Sequence, residues 1–348
     1  MFLSFFGLRE QPFGVTPDPR FLYLSAAHRE ALASLYYGIE ANRGFLGLIA
    51  RPGMGKTTIL FHLLEKFRGT ARTALIFQTQ CNSREFMRLL LAELGYEGTI
   101  QDLVQMHDEF NKRLMQEARA GHRLIVVIDE AQNLEFEVLE TLRLLSNFET
   151  SRAKLMHIIL AGQPALADKL VSPSLAQLRQ RVSIVHGLEP LSSWEVKNYI
   201  EHRLMVAGYK GDPIFTPEAY EAVAEFTKGI PRNVNNFCFN ALSLACALRK
   251  RVVDSDVVNE VVSDLDIDKL TSVTEAPRQD ASYAPVQEVP RHPHTPGDDE
   301  EISSPAQAAA YMQQVALKLK DWRESLEKTP GFTPGSSQTG SRTDVNDS

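Results

Sequence analysis

The chain has 348 residues, 43% of them hydrophobic, with a formal net charge of −7. That length suggests about two domains with ample material for cores, and no run reaches the ~18 to 20 apolar residues of a membrane span. The N-terminus lacks the basic and long apolar regions of a signal peptide, and Cys81, Cys238 and Cys246 form no C-x-x-C pair, as suits buried thiols in a reducing cytoplasm. Residues 271–348 carry 12 acidic and 7 basic side chains, so the remainder is near neutral. That argues against a large nucleic-acid footprint, which shows as a basic face.

Three prolines, Pro12, Pro17 and Pro19, predict an extended, turn-rich leader rich in aromatic residues. Such leaders can cover the base of a neighbouring nucleotide, although Phe5, Phe6, Phe13 and Tyr23 could equally pack on a core. Ser25 reads as the N-cap of a helix from about Ala26 to Asn42. The apolar run Phe45 to Ile49 reads as a strand, and the spacing from Thr58 to Leu64 suits a helix. Between them lies A-R-P-G-M-G-K-T, comprising Ala50, Arg51, Pro52, Gly53, Met54, Gly55, Lys56 and Thr57.

Strand, glycine-rich loop and helix form the layout of a phosphate-binding loop, whose backbone N–H groups turn toward an anion at the positive end of a helix dipole. Ala50 to Thr58 are therefore the candidate nucleotide-binding residues. Lys56 would reach the β- and γ-phosphates of ATP, and Thr57 would hold Mg²⁺. Ala50 stands where the stricter pattern has glycine, and a left-handed backbone there would cost alanine more.

Thr73 to Thr79 reads as a buried strand, Ser83 to Leu94 as a helix capped by Ser83, and Ile100 to Ala120 as a helix ending before Gly121. Leu124 to Ile128 is then a strand apolar on both faces, followed by Asp129 and Glu130. Carboxylates at such a strand end lie where open α/β sheets bind ligands. Asp129 is the candidate Mg²⁺ ligand, and Glu130 the candidate base for an attacking water. An acidic pair alone could simply cap the next helix, but downstream of the phosphate loop it gains this meaning.

Gln132 to Leu134 with Phe136 to Asn147 reads as the next helix, and Lys154 to Ala161 as a fourth strand. The Gly162-Gln163-Pro164 turn at its tip makes Gln163 a candidate sensor of the γ-phosphate or water. Arg179 and Arg181 precede a short fifth strand, Val182 to Val185. Either would serve as an arginine finger across a subunit interface, Arg181 being preferred.

Strands then stop, and four helices follow at Ser192 to Ala207, Thr216 to Thr227, Arg232 to Arg249 and Ser255 to Leu265, with Ser192, Thr216 and Ser255 as caps. Arg232 sits at a helix start, unfavourable against the dipole unless an anion lies opposite. The expected organisation is a nucleotide-binding core over 1–188 (leader 1–25), a helical lid over 189–268, a disordered linker over 269–304, an amphipathic helix over 305–328 and a flexible tail over 329–348. The stripe Met312, Val315, Leu319, Trp322 and Leu326 suits docking on a protein better than on lipid, because lysines and acids are mixed around it.

The leader F-F-G-L-R-E-Q-P-F with P-D-P-R-F-L-Y-L-S, the phosphate loop, V-V-I-D-E-A-Q-N-L, L-R-L-L-S-N-F-E-T, L-A-G-Q-P-A-L and G-I-P-R-N-V-N together resemble the bacterial general secretion pathway protein A (ExeA-type) AAA+ ATPases. The similarity spans about residues 2–265. Related ATPases accompany exosortase and exopolysaccharide gene sets, and TniB/TnsC-type transposition ATPases are more distantly similar. The resemblance implies an α/β P-loop NTPase (AAA+) fold, with a parallel five-stranded sheet in 5-1-4-3-2 order and a helical lid. It also implies ATP and Mg²⁺ as cofactors, Gln163 as sensor 1, Arg232 as sensor 2, and homo-oligomers in which Arg179 or Arg181 touches a neighbour's nucleotide.

The family's secretion members continue into a transmembrane helix and a periplasmic peptidoglycan-binding domain, patterns this sequence does not show. The expectation is therefore a cytoplasmic ATPase that reaches the inner membrane through a protein partner and drives assembly or regulation of a secretion or envelope-polysaccharide system. A DNA-associated transposition or loader ATPase, or a nucleotide-switched scaffold, are the competing readings. No winged-helix pattern or basic extension follows the lid, so nucleic acid is not the favoured partner.

Overall fold

The computed structural model describes residues 2–147 and 154–265. Five parallel strands form one sheet: β1 (Phe45–Ile49), β2 (Ala71–Ile76), β3 (Arg123–Ile128), β4 (Met156–Gly162) and β5 (Val182–Gly187), in spatial order β2-β3-β4-β1-β5. This is the expected 5-1-4-3-2 order. The central register pairs Leu46 with Ile159 and Val126 with Ile158. Side chains alternate across the sheet. Leu124, Val126 and Ile128 enter one apolar core, while Ile125 and Val127 enter the other, which explains why β3 is apolar at every position. A short α1 (Phe2–Phe6) and α2 (Ala26–Glu40) precede β1, and crossovers run through α3 (Lys56–Lys66), α4 (Ser83–Glu93), α5 (Leu103–Arg119), α6 (Phe136–Leu145), α7 (Pro164–Val171) and α8 (Ala176–Arg179).

Helices α9 (Ser193–Val206), α10 (Pro217–Thr227), α11 (Pro231–Ala247) and α12 (Ser255–Leu265) follow the sheet and build a third core. Phe2, Phe6, Leu8, Phe13 and Phe21 of the leader belong to that helical core. The leader, grouped with the sheet in the sequence reading, thus packs with the lid.

Several local expectations change. The leader is not extended throughout, because α1 forms ahead of its prolines. Helix α2 keeps its Ser25 cap but stops at Glu40, with Asn42 left-handed at φ 55. The cap of α4 is Asn82 rather than Ser83. Its side chain accepts from Arg84 and Glu85 N–H, and Glu85 returns a bond to Asn82 N–H in a capping box. Asp254, not Ser255, accepts from the Val257 N–H at the start of α12. Ala131–Asn133 form a separate 3₁₀ turn instead of the start of α6. Strand β2 lies earlier than read, and β4 and β5 extend to Gly162 and Gly187. The linker, amphipathic helix and tail read over 269–348 lie outside the described residues.

Candidate functional site

The loop after β1 reverses through two left-handed glycines, Gly53 at φ 79 and Gly55 at φ 86, conformations open to glycine without cost. Ala50 is not left-handed, so alanine suffices at the first position; it is buried in the core beside α2. Helix α3 starts at Lys56, with Gly55 as a cap that offers no side chain, so its first N–H groups face the loop's concavity. Lys56 is buried, its Nζ donating to the Ala50 carbonyl at 3.1 Å and lying 4.0 Å from Glu130 Oε1. Pro52 to Thr58 line the cleft together with Glu130, leader residues Gly14 to Asp18, and Arg232. Ala50 and Arg51 stand outside its lining.

The parallel sheet brings the ends of β1, β3 and β4 side by side, which places three of the predicted parts together. Thr57 Oγ1 donates to Asp129 Oδ2 at 2.6 Å. Asp129 is 4% exposed, and burial raises its proton affinity above the usual carboxylate range despite the opposing Thr57 bond. A buried carboxylate whose charge is poorly compensated, facing a hydroxyl, suits a hard cation with oxygen ligands. Among the described residues no cluster of three or more His, Cys, Asp or Glu side chains offers an all-protein metal cage. This donor set fits Mg²⁺, which is ordinarily shared with substrate phosphates and water.

Glu130 takes a left-handed backbone, φ 52, at the turn out of β3. Its Oε2 accepts from Gln132 Nε2 at 2.6 Å and from Gln163 Nε2 at 3.0 Å. Gln132 also accepts the Gln163 backbone N–H at 3.0 Å, so the two carboxamides and the carboxylate close into one network. Gly162 leaves room for it, since a Cβ there would lie 2.8 Å from Gln132 Oε1. Lys169 braces the turn, donating to the Gln132 and Leu134 carbonyls at 2.5 and 2.7 Å. The sequence pattern marks Gln132 only as a helix residue, because its partner Gln163 lies 31 residues away on another strand end.

On the lid side, Arg232 N–H donates to the Gly53 carbonyl at 3.1 Å. A Cβ on Gly53 would come within 2.8 Å of Arg232 Cβ, so loop and lid touch closely. The Arg232 side chain lines the cleft and is exposed. Beside it, Arg203 is buried, donating to Pro12 O and to Tyr199 Oη at 2.5 and 2.9 Å and lying over the Phe21 ring at 4.9 Å. Tyr199 Oη donates to Asn235 Oδ1, which ties the leader's floor to α11.

Arg179 and Arg181 do not line the cleft. Arg181 donates to the Arg143 carbonyl at 3.1 Å, to Ser146 Oγ at 3.0 Å and to Asn147 Oδ1, at the end of α6. Arg179 is exposed, with one long bond of 3.4 Å to the Val171 carbonyl.

Residues 39–170 match the AAA domain family. The chain is 39% identical over 260 residues to general secretion pathway protein A of Aeromonas hydrophila, covering 74% of this chain and 47% of that protein. It therefore spans about half the length of that relative. An uncharacterized HTH-type transcriptional regulator of Methanocaldococcus jannaschii is 30% identical over 278 residues, which cover 68% of this chain and 66% of that one. Among solved structures, the Aeropyrum pernix ORC2 protein superposes with a TM-score of 0.56 at 19% identity, over 75% of this chain and 74% of that chain, and shows the fold alone. No helix among the described residues is long and apolar enough to cross a membrane. Sheet order, phosphate loop, strand-end carboxylates and these similarities agree: the chain has the α/β P-loop fold of an AAA domain and is similar over most of its length to general secretion pathway protein A.

Proposed function

We propose that the chain binds ATP in this cleft and hydrolyses it, and that turnover drives assembly or regulation of a secretion or envelope-polysaccharide system through a protein partner. The observation that carries the first half is the meeting of Thr57, at the start of α3, with Asp129 and Glu130, at the end of β3, with Thr57 Oγ1 only 2.6 Å from Asp129. The loop amides and the start of α3 would receive the phosphates, and Lys56 would exchange the Ala50 carbonyl for phosphate oxygens. Thr57 and Asp129 would hold Mg²⁺, which when bound offsets charge on the β- and γ-phosphate oxygens.

Glu130 is the proposed base. It takes a proton from water as the water oxygen bonds to the γ-phosphorus and the bond to the β–γ bridging oxygen breaks, leaving ADP and phosphate. Gln132 and Gln163 hold its carboxylate from one side. Gln163, bonded to the base from the tip of β4, would report on the γ-phosphate through Glu130, and Arg232 would reach it from the lid. Arg179, exposed and loosely held, fits the finger of a neighbouring copy better than Arg181, whose guanidinium is engaged within its own chain. The protein would work as a homo-oligomer in the cytoplasm, meeting the inner membrane through its partner.

The similarity to general secretion pathway protein A supports the envelope reading, and the similarity to an HTH-type regulator keeps a DNA-associated role as the second. Steady-state ATP turnover with and without duplex DNA separates them. Turnover indifferent to DNA supports the envelope reading. A DNA-stimulated rate that falls steeply with salt would replace it with the second.

A further inference from the structure

A loop that turns its amides inward to an anion must turn carbonyls outward, and a buried outward carbonyl needs a donor. In this protein the carbonyls of Gly53 and Met54 are both held by groups from outside the loop. The Gly53 carbonyl accepts the Arg232 N–H of the lid at 3.1 Å. The Met54 carbonyl lies 3.1 Å from Nε2 of His28, a side chain in the first turn of α2 that is 3% exposed and lines the cleft.

The tautomer follows from the partners. A carbonyl only accepts, so Nε2 carries the hydrogen, and Nδ1, 2.6 Å from Ser25 Oγ, accepts the serine hydroxyl. Ser25 Oγ in turn accepts the His28 backbone N–H as the N-cap of α2. Every polar atom of the neutral ring is satisfied, and burial holds the ring neutral by lowering its proton affinity. The same helix start is tied to the lid, where Glu195 Oε1 accepts Ala26 N–H at 3.2 Å while Oε2 caps α9 through Ser192 N–H. His28 thus ties the loop to the start of α2, the same helix start that Glu195 ties to the lid through Ala26.

We infer that His28 is a positioning residue for nucleotide binding: by holding the Met54 carbonyl outward it presets the loop between Gly53 and Lys56 for a phosphate chain before ligand arrives. The inference rests on the nucleotide-binding reading of the cleft. Preset amides benefit the diphosphate more than the nucleoside, so the loss on removing the strut grows with the number of phosphates.

The test is competition binding of AMP and ADP to the full chain and to two variants. His28→Leu keeps bulk and deletes the donor; His28→Gln places an amide N–H near the position of Nε2. The expected result is an ADP affinity lowered about tenfold in His28→Leu, the effect of about one hydrogen bond to a charged group. AMP affinity should change less than threefold, and His28→Gln should recover ADP affinity to within about threefold. If His28→Leu fails to fold, His28→Asn, whose amide is too short to reach Met54, carries the same expectation of selective loss. Equal losses for AMP and ADP, an unchanged ADP affinity, or no recovery in His28→Gln would overturn the inference. Wild-type protein that binds neither nucleotide would overturn the reading beneath it, a different outcome from wild-type binding that is blind to His28.

Discussion

Replacing Gln132 by Leu conserves volume while removing both ends of the bridge between Glu130 and the β4 tip. The lost contacts are the 2.6 Å bond to Glu130 Oε2 and the 3.0 Å bond from the Gln163 N–H. A hydrogen bond to a charged group contributes about 1.5–3 kcal/mol. If that interaction fixes the base where it meets water, its loss enters the barrier, and every 1.36 kcal/mol is tenfold in rate. We therefore expect kcat for ATP to fall by about 10- to 150-fold, less than on removal of the carboxylate because Gln163 still donates to Glu130. ADP affinity should stay within about threefold, since Gln132 is not part of the cleft lining. Phosphate-release kinetics alongside ADP titration give both numbers. A kcat within twofold of wild type, with the variant folded, would refute the reasoning that the carboxamides position the base.

Two further expectations follow from the same site. Arg179→Ala should abolish any rise of ATPase rate with protein concentration while leaving thermal stability unchanged, whereas Arg181→Ala should lower the melting temperature because it releases the contacts to Arg143, Ser146 and Asn147; the reverse pattern in melting and concentration-dependent turnover would exchange their roles. Burial raises the proton affinity of Asp129 in the folded chain, so its contribution to stability is fully present below the ordinary aspartate range and is lost as pH rises through the raised value. At neutral pH without Mg²⁺, Asp129→Asn should therefore melt higher than wild type, and added MgADP should stabilise wild type but not the variant; equal melting curves with and without Mg²⁺ in both proteins would contradict the metal assignment.

Much of the architecture was readable because each piece has a local cause. The run Leu124 to Ile128 can only be a strand buried on both faces, and the glycines at 53 and 55 sit where the loop turns left-handed. Parallel topology then did the rest, carrying Thr57 to Asp129 across 72 residues of chain. What escaped the sequence were contacts with no local signature. Gln132 looks like any helix residue until β4 brings Gln163 against it, and His28 looks like one polar position in α2 until Met54 turns its carbonyl toward it. The caps at Asn82 and Asp254 were missed by one residue because Ser83 and Ser255 are equally good cap types. Only the extended backbone of Asn82 and the bond from Asp254 to the Val257 N–H decide between them. Leader aromatics such as Phe6 and Phe13 carry no mark saying which core they will enter, and they entered the lid's.

The proposed function stands or falls with Glu130 acting as the base in ATP hydrolysis. Single-site Glu130→Gln removes the carboxylate's basicity while keeping size and a hydrogen-bonding end group. Measured as steady-state phosphate release beside ATP binding, the variant should lose at least ~100-fold in turnover, the usual contribution of a general base, and keep ATP affinity within about threefold. Turnover that survives the substitution, in protein that still binds ATP, would contradict the account.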